Sequence, residues 1–230
     1  MSTNDSACKK PLLYHYLQFL KNQPAGFTYR GATSNKKQKT QAPSGKEQLD
    51  ALKKSHDNCQ SCPLATLGRA QVVFGEGNPN ATLMFIGEGP GRDEDEQGRP
   101  FIGRAGQLLT KIIQAMNIKR EDVYISNVVK CRPPDNRVPL PAESDVCTKL
   151  ILFKEIEIIK PKIICTLGAT ALQSLLGSDA KITKQRGIFT NFHDIPVMPT
   201  YHPAYLLRNP DAKKFVWEDM KKIMEKLSPT

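Results

Sequence analysis

From residue 70 onward, short apolar segments alternate with longer stretches of helical spacing, and this alternation restricts the chain to an α/β architecture. Residues 70–74, 82–86, 123–129, 162–167 and 195–198 are runs of β-branched or bulky side chains, several of them bounded by Gly, Pro or Asn, and they predict strands. Between them, residues 105–116 place Leu108, Leu109, Ile112, Ile113 and Met116 on one helical face. Residues 143–159, closed by Pro161, predict a second helix, 169–176 a third and 211–227 a terminal one. Strands separated by helices of this length join in parallel and need cover on both faces. The expected fold is therefore a three-layer α/β/α domain around a mostly parallel sheet, with no internal repeat.

The positive charge is unevenly placed. The chain carries a net +10, yet residues 1–46 alone hold eight Lys or Arg against Asp5, a net of +7. Leu12, Leu13, Tyr16, Leu17 and Leu20 recur at helical spacing and predict a short amphipathic helix; residues 22–46 have a linker composition. The expected organisation is a basic N-terminal extension over residues 1–46 and one compact domain over 47–230. Such an extension suits non-specific attraction to phosphates, or simply a solvated tail. No apolar run reaches the roughly 18 residues of a membrane span, and the start lacks a signal-peptide pattern, so an intracellular (cytoplasmic) protein is expected.

Six cysteines in a reducing compartment point to metal binding, core packing or reactivity rather than disulfides. Cys59 and Cys62 form C-x-x-C, and Cys131 and Cys147 flank a Pro-rich segment. Four thiolates satisfy tetrahedral zinc or a [4Fe–4S] cluster, and the spacing alone does not choose. A redox dithiol with unrelated core cysteines is the plainer alternative. Cys165 lies in an apolar strand and reads as a small core hydrophobe, Cys8 as a free thiol in the extension.

In parallel α/β sheets, chemistry collects where strands end at their carboxyl edge. Three such exits carry unusual sequence: Gly87-Glu88-Gly89-Pro90-Gly91, Asn127, and Tyr201-His202. The first is glycine-rich but is neither a Walker A loop nor G-x-G-x-x-G.

Four ordered segments carry a resemblance: G-E-G-P-G-R-D-E-D from Gly87, G-R-P-F-I-G-R-A-G-Q-L-L from Gly98, Y-I-S-N-V-V-K-C-R-P-P from Tyr124, and H-P-A-Y-L-L-R-N-P from His202. With the cysteine frame they resemble the family 4 uracil-DNA glycosylases of the uracil-DNA glycosylase superfamily, between residues 57 and 217. The resemblance implies a central four-stranded, mostly parallel sheet between helices. It also implies a monofunctional base excision repair enzyme that hydrolyses the N-glycosidic bond of uracil in single- or double-stranded DNA and leaves an abasic site. Cys59, Cys62, Cys131 and Cys147 would hold one [4Fe–4S] cluster per chain, and Glu88, Gly89, Pro90, Phe101, Asn127 and His202 would form the uracil pocket.

The chemistry asks for these residue types. A flipped base needs an apolar plate, here Phe101. A fixed Asn127 carboxamide matches the N3–H donor and O4 acceptor of uracil and clashes with cytosine. His202 would donate to O2 as negative charge moves onto the leaving ring. The better-known branch of the superfamily has Asp where this chain has Gly89 and Tyr where it has Gly91. The water-activating group is therefore expected to be Glu88, or a water held by backbone groups and Asn127, and Glu94 is the candidate for thymine exclusion. Leu206 or Leu207 would be the wedge that fills the vacated stack, with Arg208 on phosphate. Lys130, Arg132 and Arg137 are further phosphate candidates. None of the residues assigned to the pocket is a lysine, so strand cleavage through a Schiff base is not expected. A monomer is expected. Two other readings compete: a zinc-held nucleic-acid module without catalysis, and an iron–sulfur electron carrier.

Overall fold

The computed structural model describes residues 42–228, and its compact unit begins at Pro43. The amphipathic stretch at Leu12–Leu20 and Cys8 lie outside the described residues.

The unit opens on α1 (Gly45–His56), capped by Ser44 and Glu47 in a reciprocal capping box. One mixed sheet of six strands follows, β1 (Glu76–Gly77), β2 (Leu83–Gly87), β3 (Tyr124–Asn127), β4 (Ile163–Leu167), β5 (Thr190–Phe192) and β6 (Ile195–Thr200), in the order β1-β3-β2-β4-β6-β5. The inner four, β3-β2-β4-β6, are parallel, as expected; β1 and β5 extend the edges antiparallel. Every residue of β2, β3 and β4 is buried, which explains why β2 and β4 read as near-continuous apolar runs rather than alternating ones.

Parity along the strands shows the two covering layers. Leu83, Phe85, Ile125, Ile163, Cys165 and Met198 share one core with α3 (Arg104–Ala115), α8 (Pro203–Arg208) and α9 (Lys213–Leu227), through Leu109, Ile113, Leu206, Val216, Met220 and Ile223. The opposite face presents Tyr124 and Ser126, which meet Glu155 of α5 (Phe153–Ile159), while α6 (Ala169–Leu176) packs on β4 and β2.

Three expectations need correction. Residues 70–74 are buried but form no strand: the Ala70 amide donates to the Asp95 carboxylate at 3.0 Å and the Val73 amide to the Lys130 carbonyl at 2.7 Å, so their bonds go to a side chain and a loop. The helix expected over 143–159 is two, α4 (Pro141–Cys147) and α5, joined by a wide π turn at Thr148–Leu152. Three short helices were not anticipated. The first, α2 (Arg92–Gln97), is an acidic run without apolar periodicity, and α8 is only six residues long. A four-residue helix, α7 (Ile182–Gln185), precedes β5.

The loop before α3 is tight. A Cβ on Gly106 would fall 1.9 Å from the carbonyl carbon of Phe101, whose own φ of 53° is left-handed. Only glycine lets the first turn of α3 lie against that backbone. Gly106→Ala is expected to destabilise the fold by at least ~2 kcal/mol, because backbone cannot yield as a side chain does. Urea titration of the two proteins measures it.

Candidate functional site

The exits of β2, β3, β4 and β6 open on one cleft of about 490 Å³. Glu88, Gly89, Pro90, Glu94, Phe101, Asn127 and His202 all line it, so the residues singled out in the sequence do converge.

The register of β2 and β3 builds the floor. Gly87 pairs with Asn127, and the ladder continues past the strand ends through Val128 N–H to the Gly87 carbonyl at 2.9 Å and Val129 N–H to the Glu88 carbonyl at 3.1 Å. A Cβ on Gly87 would sit 2.3 Å from the Phe101 ring and 2.6 Å from Asn127 Oδ1. Ring and carboxamide therefore both rest on the same bare backbone. Asn127 is 2% exposed, and its Oδ1 has no hydrogen-bond partner. A buried acceptor left unmatched costs about 1–3 kcal/mol unless something supplies a donor.

His202 stands across the cleft, its ring centroid 5.7 Å from that of Phe101. It is the N-cap of α8, and its Nδ1 accepts the Ala204 amide at 3.1 Å. That bond fixes the tautomer: Nδ1 is the acceptor, so the proton sits on Nε2. Burial, with the Arg208 charge adding to it, pushes the imidazole pKa down to about 4, so the ring is neutral at physiological pH. The strand end that carries it is anchored from behind. The Thr200 hydroxyl donates to Asp219 at 2.6 Å, Arg186 pairs with the same carboxylate at 2.7 Å, and the Gly168 amide donates to the Thr200 carbonyl at 2.9 Å.

The Glu88 carboxylate accepts the Thr170 hydroxyl from the first turn of α6. Thr170 was not anticipated; its position just after the β4 exit was the available signal. The Glu94 carboxylate ties two loops together, accepting Ile102 N–H at 3.0 Å and Gly103 N–H at 2.9 Å on one oxygen and Gly91 N–H at 3.2 Å on the other. It also fills the space over Gly91, where a Cβ would meet Oε2 at 2.9 Å. A Cβ on Gly89 would meet Val129 at 2.7 Å. The two glycines that replace Asp and Tyr are thus fitted to their neighbours.

On the rim, Tyr205 and Leu207 are exposed and Arg208 lines the mouth. Leu206 is not a wedge: it is 1% exposed and anchors α8 in the core beside Leu109 and Ile113. Lys130 cannot reach phosphate, being fully buried against Glu155 at 2.7 Å. Arg137 lines the mouth and is held by a bidentate pair with Glu143, while Arg132 donates to the Asn136 side chain.

Cys59, Cys62, Cys131 and Cys147 line one small cavity on the other side of the β3 exit, with Arg69 and Lys130. Arg69 donates to Cys131 Sγ at 3.0 Å and the Lys130 amide to Cys147 Sγ at 3.3 Å. Burial raises the thiols of Cys62, Cys131 and Cys147, the last to about 12, so as free groups they keep their protons. Among the described residues, no three His, Cys, Asp or Glu side chains are grouped closely enough to hold a single ion. Four thiols around a common cavity are a donor set of the kind that a [4Fe–4S] cluster takes. Cys165 is buried in β4, away from this group, with its thiol raised well above the ordinary value.

Comparison with known proteins matches the model of the Uracil DNA glycosylase superfamily to residues 74–223. The chain is 48% identical over 180 residues to a Type-4 uracil-DNA glycosylase of Thermotoga maritima, covering 76% of this chain and 93% of that one. It is 44% identical over 188 residues to the Type-4 uracil-DNA glycosylase of Sulfurisphaera tokodaii, covering 78% and 84% respectively. Identity to a Type-5 uracil-DNA glycosylase of Pyrobaculum aerophilum is lower, 29% over 182 residues, covering 65% and 79%.

The depressed pKa of His202 has a consequence for stability. An unfolded histidine takes up its proton near 6.5, the folded one only near 4. The unfolded chain therefore binds more protons in that window, and stability falls as pH drops from 6.5 towards 4. The contribution is fully present above 6.5. Denaturant midpoints of wild type and His202→Ala, measured across the window, are expected to show a shallower pH dependence in the variant.

Proposed function

The chain belongs to the uracil DNA glycosylase superfamily, and from that premise we propose how its cleft removes uracil from DNA. The protein is a DNA repair glycosylase that hydrolyses the bond between uracil and deoxyribose. The observation that carries the mechanism is the unpartnered, buried Oδ1 of Asn127, an acceptor at the wall of the cleft.

A base inside a duplex is inaccessible, so the nucleotide must turn out of the stack at a cost of a few kcal/mol. Uracil then lies against Phe101. Its N3–H donates to Asn127 Oδ1, and the carboxamide NH₂ donates to O4. Cytosine offers a lone pair at N3 and an amino group at C4, so both contacts become unfavourable. His202 Nε2–H donates to O2. As the C1′–N1 bond breaks, its electron pair moves onto the uracil ring and O2. A neutral donor already in place stabilises that anion without giving up its proton. Glu88, held by Thr170, orients a water toward C1′ and takes up the proton as the new C1′–O bond forms. The products are free uracil and an abasic site. Glu94 walls the cleft over Gly91, which is the place to exclude a 5-methyl group. Leu207 is the wedge and Arg208 holds phosphate. Lys130, the lysine nearest Asn127 in sequence, is held behind the sheet, so no amine is offered to the sugar for strand cleavage.

The four cysteines at their common cavity would hold a [4Fe–4S] cluster, which supplies structural cross-linking rather than chemistry at the sugar. Bound there, it would tie the segment before residue 70 to both ends of the loop between Cys131 and Cys147, whose residues Arg137 and Val138 line the mouth of the cleft. Among the described residues no helix is long and apolar enough to cross a membrane. We read the protein as acting on DNA inside the cell as a monomer, since one chain supplies every residue assigned above.

His202→Ala and Asn127→Ala are each expected to lower excision from a uracil-containing oligonucleotide by ~10²–10³ while leaving DNA affinity nearly unchanged. Alkaline cleavage of abasic sites and a gel-shift titration measure the two quantities; unaltered excision in both variants would remove these residues from the mechanism. The protein purified without oxygen is expected to be brown. Cys147→Ala should lose the colour and unfold at lower temperature, whereas a colourless, zinc-containing wild type contradicts the cluster.

A further inference from the structure

A carboxamide can discriminate between bases only if it cannot turn or shift to suit the wrong one. The side chain of Asn127 rests on Gly87, but its backbone is held from the opposite side of the sheet. Lys130 Nζ donates to the Asn127 carbonyl at 2.7 Å and to Ser126 Oγ at 2.5 Å, and it pairs with Glu155 Oε2 at 2.7 Å. Glu155 in turn accepts the Ser126 hydroxyl at 2.6 Å and the Gly75 amide at 3.0 Å. Lys130 is 0% and Glu155 1% exposed. Nothing in the excision chemistry uses this pair, and a buried ion pair is no better for stability than apolar residues of the same size. Its bonds converge on the last two residues of β3, where the uracil-reading group begins.

We infer that Lys130 and Glu155 are positioning residues for Asn127: the ammonium clamps the Asn127 carbonyl and the Ser126 hydroxyl, and the carboxylate holds the ammonium in place. The inference rests on the reading of Asn127 as the base-reading group. The pair acts through that group and touches neither DNA nor base. Its removal should reduce turnover and the affinity for free uracil and leave DNA binding intact.

Removing one partner alone would strand a buried charge, so the test uses Lys130→Met with Glu155→Gln. The glutamine keeps an acceptor for Gly75. Thermal unfolding and the visible absorbance of the cluster establish that the double variant is folded and loaded, which matters because the Lys130 amide donates to Cys147 Sγ. The expected result is a fall in kcat of about tenfold or more, with KM for a uracil-containing oligonucleotide within about threefold, and weaker binding of free uracil by calorimetry. The decisive arm repeats the pair of substitutions in an Asn127→Ala background. If the clamp acts through Asn127, no more than about a twofold further loss remains there. Wild-type kcat in the double variant, or full multiplication of the two losses in the Asn127→Ala background, overturns the inference. An Asn127→Ala protein that excises normally overturns instead the reading on which it rests. If the double variant does not fold, Ser126→Ala, which removes one arm of the clamp and leaves the ion pair intact, carries the same cycle, with an expected loss of about threefold that again vanishes in the Asn127→Ala background, and multiplication again contradicts it.

Discussion

Pairing of β2 with β3 in parallel, with Gly87 opposite Asn127, is the constraint on which the site depends. Both strands are wholly buried, so the register is fixed by packing on two faces, apolar on one and around the Lys130–Glu155 pair at Ser126 on the other, rather than by the cleft itself. That register brings a residue without a side chain beside a carboxamide, and the gap over the glycine admits the edge of the Phe101 ring. Phe101 pays for its place with a left-handed backbone, which Gly106 and the Glu94 carboxylate stabilise from either side. Stacking plate and hydrogen-bonding wall thus share a single support.

Charged side chains, Glu88, Glu94, Arg137 and Arg208, line the cleft, but the imidazole that stands across from Phe101 is not one of them. The imidazole of His202 is neutral because burial disfavours the ion and because the Ala204 amide occupies Nδ1. In the proposed mechanism its remaining proton, on Nε2, is the donor to O2 and requires no rearrangement when the leaving group becomes an anion. Two buried ion pairs lie behind the walls. Lys130 with Glu155 supports the β3 exit, and Arg186 with Asp219 supports the β6 exit through Thr200. One pair holds the Asn127 carbonyl and the other the Thr200 hydroxyl, each at the end of a strand.

The parallel core was legible in the sequence because buried strands leave continuous apolar runs and helices leave a periodic face. Residues 70–74 misled for the same reason: they are as apolar as a strand, but their amides find a carboxylate and a loop carbonyl, and no pattern of hydrophobicity records a hydrogen-bond partner. The site was legible wherever a rare residue stood at a strand exit, as with Glu88, Asn127 and His202. It was not legible where the role depends on which way a short helix faces. Leu206 and Leu207 are neighbours of one kind in sequence, yet α8 turns the first into the core and the second to solvent. Lys130 likewise reads as a surface cation beside Arg132, and only its neighbour Glu155, a distant residue on α5, makes its burial tolerable.

The central claim is that a pre-shaped slot binds the base through Asn127 Oδ1, the Phe101 face and His202 Nε2–H. A crystal structure of the protein soaked with free uracil tests it most directly. The account predicts the pyrimidine stacked on Phe101, with N3 within hydrogen-bond distance of Asn127 Oδ1 and O2 within hydrogen-bond distance of Nε2. Uracil bound elsewhere, or bound in the cleft with Oδ1 still unpartnered, would contradict it.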